Sequence, residues 1–334
     1  MPVYGCAQTN PHVKCEVTTM NTHDLISRRE SMKRLLQISG GIALAGAGPW
    51  GSQIPSAFGA GTQKESLIIE GIGETEGYSV HALTQKVFDA AGGIRQFVSK
   101  GDVVVIKPNI SWARPPHLAA TTNPEVLESV IALCQEAGAK KVRIADNTIH
   151  NAKRCFAITG AGAVAKKTGA DLIHPRSSLM REMKLRGQRL DVWPVFVPLV
   201  EADKIINLPV AKHHSLSALT LGMKNWIGGV AGSRWSLHQD IHQTVVDLAQ
   251  FFKPTVTLID ATRILIRNGP SGGSPSDVET KNRLILSSDP VAADAWAARL
   301  FDAQPDRIGF IQLAEKQGLG TGNPEKLDPR KVTV

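Results

Sequence analysis

The residues of this chain that could do chemistry come in short polar bursts, each directly after an apolar run. Lys107-Pro-Asn109 ends one run, Asp146-Asn147 another, His174 a third, Lys212-His213-His214 a fourth and Asp260 a fifth. If the runs are strands of one open parallel sheet, these groups collect outside its carboxyl ends, where such sheets bind ligands. The least generic segment is Thr220-Leu-Gly-Met-Lys-Asn-Trp-Ile-Gly-Gly-Val230. Lys224 and Asn225 supply a cation and an amide donor there, and the paired glycines permit close backbone approach. That combination suits a carboxylate or phosphate oxygen. A buried helix with a snorkelling Lys224 and glycines used for tight packing would read the same way. His214, His238 and Lys224 are the candidate catalytic residues, the imidazoles for acid–base work and the lysine for charge. Lys107, Asn109, Asn225 and Asp146 are the candidate ligand- or cofactor-binding residues.

A metal is a separate expectation. In His238-Gln-Asp-Ile-His242 the two histidines stand four apart, a spacing that puts both on one helix face. With Asp260, or His213-His214, as a third ligand they could grip a transition metal; solvated residues at a helix start are the alternative. Asn268-Gly-Pro-Ser-Gly-Gly-Ser274 could wrap an anion but lacks the spacing of either common nucleotide loop, so an ordinary loop is expected. Asp289 reads as a helix cap, and Asp294 falls on an Ala-rich face.

The elements that must position these residues alternate from residue 66 onward. Strands are expected at Ser66–Ile72, Asp102–Lys107, Val142–Ala145, Asp171–His174, Lys204–Val210, Thr255–Asp260 and Arg283–Ser287. Between them lie helices over about 79–98, from Thr122-Asn-Pro-Glu125 to Gly138, and a Gly/Ala-rich one ending at Gly169. Further helices are expected over 216–228, 237–252, Asp289 to Leu300 and 307–317. This order specifies an α/β fold, a doubly wound and largely parallel sheet. Residues 60–334 are expected to form one such domain, with a small hairpin subdomain inserted at about 176–200 and turning at Gly187.

The N-terminus carries its own message. Arg28-Arg29 precedes a stretch without charge from Leu35 to Gln63, and Ala57-Phe-Gly59 offers the small residues a signal peptidase reads. Residues 1–59 are expected to be a twin-arginine signal peptide cleaved near Gly59-Ala60, with Met1 or Met20 as the start. The apolar stretch is too weak for a membrane span, so the mature chain is expected without an anchor, in the periplasm or outside the cell. The export machinery is then one partner, and it carries folded proteins, often with a cofactor inside. Residues 1–59 hold five Lys/Arg and three Asp/Glu, leaving 33 basic against 27 acidic side chains beyond them. Arg176, Arg181, Lys184, Arg186 and Arg189 concentrate that excess. A solvated hairpin explains it better than nucleic acid, which an exported protein rarely meets. Of the four cysteines, Cys6 and Cys15 fall in the leader. Cys134 and Cys155 could pair in an oxidising compartment or remain buried thiols. No spacing suits an iron–sulfur cluster built from the chain's own cysteines.

With these motifs in order, the chain resembles the domain-of-unknown-function 362 family over residues 66–300. The resemblance rests on Val105-Ile-Lys-Pro-Asn109, Thr122-Asn-Pro-Glu125, Lys212-His-His214 and Thr220-Leu-Gly-Met-Lys-Asn225. It continues through His238, Asp260 with Gly269-Pro270, and Ser288-Asp-Pro-Val-Ala-Ala-Asp294. Many relatives look like fusions to a ferredoxin-type module, whose cysteines this chain lacks. Three readings follow. One is an exported enzyme, redox chemistry first, that holds a small anionic substrate with Lys107 and Lys224 and uses His214 or His238 for proton transfer. The second is a periplasmic metal- or ligand-binding protein without turnover, using His214, His238, His242 and Asp260. The third is a module whose basic hairpin docks on a redox partner protein.

Overall fold

A computed structural model describes residues 66–74 and 77–334. The Arg28-Arg29 leader, its cleavage site and Cys6 and Cys15 lie outside the described residues. The sheet has ten strands in the order β12-β1-β11-β10-β7-β2-β3-β4, with β8 beside β10 and β9 beside β8. Its members are β1 (Ile68–Ile72), β2 (Val103–Pro108), β3 (Lys141–Ala145), β4 (Asp171–Ile173), β7 (Lys204–Leu208), β8 (Val210–His214), β9 (Ala218–Thr220), β10 (Val256–Leu265), β11 (Val278–Ser287) and β12 (Arg330–Thr333). All run one way except β9 and β11, which pair antiparallel with their neighbours. The sheet is thus largely parallel, as the alternating pattern requires.

Both faces are covered, so the strands are near-continuous apolar runs. On one face, Val104 and Ile106 of β2 pack under α1 (Val80–Ala90), α2 (Pro124–Glu136), α3 (Ala152–Ile158) and α4 (Ala161–Thr168). On the other, Val105 packs with α7 (Ile241–Phe252), α8 (Pro290–Ala298) and α9 (Gly309–Lys316). Lys107 follows Val105 on that second face by the period-two rule, a charge placed in an apolar stripe.

The inserted hairpin is β5 (Met180–Lys184) and β6 (Val192–Phe196), an antiparallel pair in a sheet of its own. Asp247 of α7 accepts the backbone N–H groups of Gln188, Arg189 and Leu190 at its turn, and Gly187 leaves room for that carboxylate. Arg189 donates to Thr244 Oγ1 and to the Ser236 carbonyl, which ties the hairpin turn to α7 and to the segment before it. A four-residue helix α5 (Val197–Val200) leads from the hairpin into β7.

Two expectations need correction. The segment 216–228 does not form one helix: β9 pairs with β8, and Lys224–Gly229 is a short 3₁₀ segment. Gly222 cannot carry a side chain, since a Cβ would meet Asp294, and the Gly228-Gly229 pair removes helix propensity. The helix at 237–252 is broken at Asp240, whose backbone leaves the helical region (φ −132°, ψ 76°) and divides α6 (Arg234–Gln239) from α7. Cys134 and Cys155 are free and buried, and burial pushes their thiols up to about 12 and about 11.

Asp260 belongs to the scaffold. Its carboxylate accepts Asn123 N at 2.7 Å, Thr262 N at 3.0 Å and Thr262 Oγ1 at 2.7 Å, fixing the residue that caps α2. Asp260→Ala strands these buried donors and is expected to lower stability by about 1–3 kcal/mol in urea unfolding.

Candidate functional site

After β2 the chain winds through α2, α3 and α4 on one face as it moves outward to β4. It then returns through the hairpin to β7, which lies on the other side of β2. The strand order reverses between β2 and β7, and a crevice opens at their carboxyl ends. At Pro209 the β7 strand bends into β8, which runs on beside β10 and carries Lys212 and His214 over the crevice. The Lys224–Gly229 turn closes the crevice from the second face.

The floor is a buried ion pair. Lys107 Nζ lies 2.7 Å from Asp146 Oδ1, with the two side chains 1% and 0% exposed. The ammonium also donates to Asn225 Oδ1 at 2.9 Å and the Pro108 carbonyl at 3.0 Å. Burial pulls Lys107 below its ordinary value, and the Asp146 carboxylate opposes that pull. Asn225 Nδ2 donates in turn to the Lys107 carbonyl and to Asn207 Oδ1, and Asn207 holds the Gly222 carbonyl. Asp146 Oδ2 accepts Ile110 N and Ser111 Oγ. Gly228 crosses directly above, where a Cβ would fall on the Asp146 carboxylate. Lys107, Asp146 and Asn225 therefore tie β2, β3 and the 3₁₀ turn together, and the Lys107 charge is spent within the protein.

Above this floor lies a cavity of about 350 Å³ lined by Asn109, Ser111, Lys212, His214, Thr220, Lys224, Asn225, Arg234 and His238, with Trp112, Ile149, Leu216 and Ile227 among its apolar members. No lining residue is a carboxylate. Lys212 donates to the Ala120 carbonyl and to Asn109 Oδ1 at 3.3 Å, and Arg234 to the carbonyls of Ile227 and Asn147. Lys224 differs from both. It is 7% exposed, yet its ammonium has no hydrogen-bond or ion-pair partner among the described residues. Burial, then Arg234, brings it down to about 7. Thr220 Oγ1, in the lining of the same cavity, is buried without a partner among the described residues.

The two histidines stack, with ring centroids 5.9 Å apart and planes 15° from parallel. Their hydrogen bonds fix opposite tautomers. His214 Nδ1 accepts Leu216 N at 3.1 Å and Ser217 N at 3.4 Å, so its proton sits on Nε2. Burial, then Lys224, drives its value down to about 2, and it stays neutral. His238 Nδ1 lies 2.6 Å from the Arg234 carbonyl and must donate to it, which leaves a lone pair on Nε2. Burial also lowers His238. The pair offers one N–H donor and one base.

The structure thus brings His214, His238, Lys224, Asn109 and Asn225 to one cavity, with Lys107 and Asp146 immediately beneath. It does not bring His238, His242 and Asp260 together. The break at Asp240 cancels the four-residue spacing: His242 stacks on Phe310, and Asp260 serves α2 on the opposite face of the sheet. Among the described residues no group of three His, Cys, Asp or Glu side chains has metal-binding geometry. Trp226 is a core residue stacked on Phe252. His174 packs on Phe156, and Asp289 caps α8 through Val291 N and Ala292 N. Asp294, pushed up to about 7 by burial, holds Gly222 N and Met223 N and so sets the turn that presents Lys224. Sequence reasoning did not assign Arg234 or Ser111 to the site, and Thr220 entered only as the start of the Lys224 segment. For Arg234 the signal was there, four residues before His238 on one helix.

Two consequences are testable. Gly228→Ala drives a methyl into the ion pair and should cost about 3 kcal/mol in urea unfolding, whereas Gly273→Ala, where the methyl meets nothing, should stay within about 0.5 kcal/mol. An anion held here needs Lys224 charged, so its affinity should fall about tenfold per pH unit above pH 7, and Lys224→Arg, which keeps its charge, should flatten that profile in calorimetric titrations. In the free protein the sign is opposite. Between pH 7 and 10.5 the unfolded lysine keeps a proton that the folded one has lost, so stability relative to Lys224→Met rises across that window.

Among proteins of known sequence, the thylakoid-associated protein sll1697 of Synechocystis sp. is 26% identical over 259 residues, covering 73% of this chain and 77% of its own. Among solved structures, the lactate racemase apoprotein of Thermoanaerobacterium thermosaccharolyticum superposes with a TM-score of 0.44 at 14% identity. That match covers 72% of this chain but 57% of the racemase, a likeness too distant to carry chemistry across. The family match is firmer, since residues 104–299, more than half of the chain, fit the model of DUF362, a domain of unknown function. Every side chain that lines the cavity falls inside those residues, and the chain belongs to the DUF362 family.

Proposed function

We propose that this chain is an enzyme that binds a small carboxylate or phosphate anion and moves a proton on it. The observation that carries the reading is the buried, unpartnered Lys224 ammonium beside two histidines held in complementary tautomers. An uncompensated buried cation is costly, and an anionic ligand is the partner that removes the cost. In this reading Lys224 and Thr220 hold the anion, with the Arg234 guanidinium adding positive field to the same cavity. His238 Nε2 takes a proton from the substrate, and the His214 Nε2–H donates to the oxygen where charge develops. Neutral His214 acts there as a hydrogen-bond donor, while protonated His238 can return the proton. On the strength of Arg28-Arg29, we place this activity outside the cytoplasm, after twin-arginine export.

The test is exchange of substrate C–H for deuterium in heavy water, followed by NMR over a panel of small hydroxy and keto acids. His238→Gln should lower the exchange rate by about 10²–10⁴-fold with binding retained, and Lys224→Met should abolish binding. Anions that bind at the cavity with neither exchange nor turnover would make the protein a ligand-binding protein instead.

A further inference from the structure

The cavity is cationic in its depth and apolar at its mouth. Among the described residues, the large apolar side chains left most exposed are Trp235 (73%), Leu216 (59%), Val192 (50%) and Ile149 (46%). Val192 sits apart on β6. Ile149 and Leu216 line the cavity itself, and Trp235 lies on α6 between two residues that line it, Arg234 and His238. Exposed apolar residues scattered singly need no explanation, but a group around one opening does. The backbone of two of them is tied to the pocket: Ile149 N donates to the Ser111 carbonyl, and Leu216 N to His214 Nδ1. The rim is therefore joined to the charged pocket through short, hydrogen-bonded connections.

We propose that the substrate is an amphiphilic acid, with a carboxylate or phosphate head on Lys224 and an apolar tail lying outward along Ile149, Leu216 and Trp235. The proposal rests on the anion-site reading above and adds the class of molecule attached to the anion. A head-only anion would leave the rim wet, whereas a tail would dry it at roughly 25 cal/mol per Å² of apolar surface covered.

The experiment compares calorimetric titrations of the full chain with acetate and inorganic phosphate against octanoate and octyl phosphate, all below micellar concentrations. The tailed acids should bind at least about 50-fold more tightly than their heads. Leu216→Ser with Trp235→Ser, both at exposed positions, should cut that ratio about tenfold. Lys224→Met should abolish binding of both kinds. Equal affinity of heads and tailed acids would overturn the amphiphile and leave the anion site standing. Failure of every anion to bind would remove the anion site and the amphiphile together. Octanol binding as well as octanoate, or adsorption to anionic vesicles that needs Leu216 and Trp235 but not Lys224, would make the rim a general apolar or membrane surface and overturn the proposal.

Discussion

The buried pair between Lys107 and Asp146 is the constraint on which the rest of the crevice is built. Two opposite charges at zero exposure cannot be separated without leaving one of them stranded, so the ends of β2 and β3 are held at a fixed distance. Asn225 accepts from the same ammonium, and Gly228 passes over the carboxylate where no larger residue fits. The turn that carries Lys224 is therefore positioned by electrostatics below it and by Asp294 behind it. One lysine is neutralised so that the next can be left open.

That division of labour separates two kinds of charge that look alike in a sequence. Lys107, Lys212 and Lys224 are all buried at the crevice, yet the first two are tied to carbonyl and amide oxygens of the protein. Only Lys224 keeps its donors unspent. The histidines divide similarly. Backbone N–H groups on His214 and a backbone carbonyl on His238 decide which nitrogen carries the proton, and those partners come from a turn and from a helix respectively. Local backbone shape thus sets the chemistry of each ring.

The parallel sheet and its polar strand ends were legible because apolar runs, caps such as Asn123 and stops such as Gly138 are local signals. The residues around Lys224 were legible for the same reason, as an unusual polar burst between glycines. Asp240 was not, because an aspartate that ends one helix and caps the next is indistinguishable in sequence from one inside a single helix, and the pairing of His238 with His242 fell with it. Whether Lys107 is free or paired was equally hidden. Its partner Asp146 is 39 positions away, and only the register of β2 on β3 brings them together.

The edge of the sheet has a consequence for how the protein is made. β1 lies between β11 and β12, with Ile68 opposite Ser287 and Ile69 opposite Arg330, so the first described strand is framed by the last two described ones. Contacts between such distant parts of a chain form slowly and close the largest loops. On the ribosome, β1 has no neighbour in the sheet until residues beyond 278 have emerged. The crevice strands can associate earlier in synthesis, but the sheet's far edge is completed only once Arg330–Thr333 has emerged. Any cellular step that acts on the folded molecule has to wait for that closure.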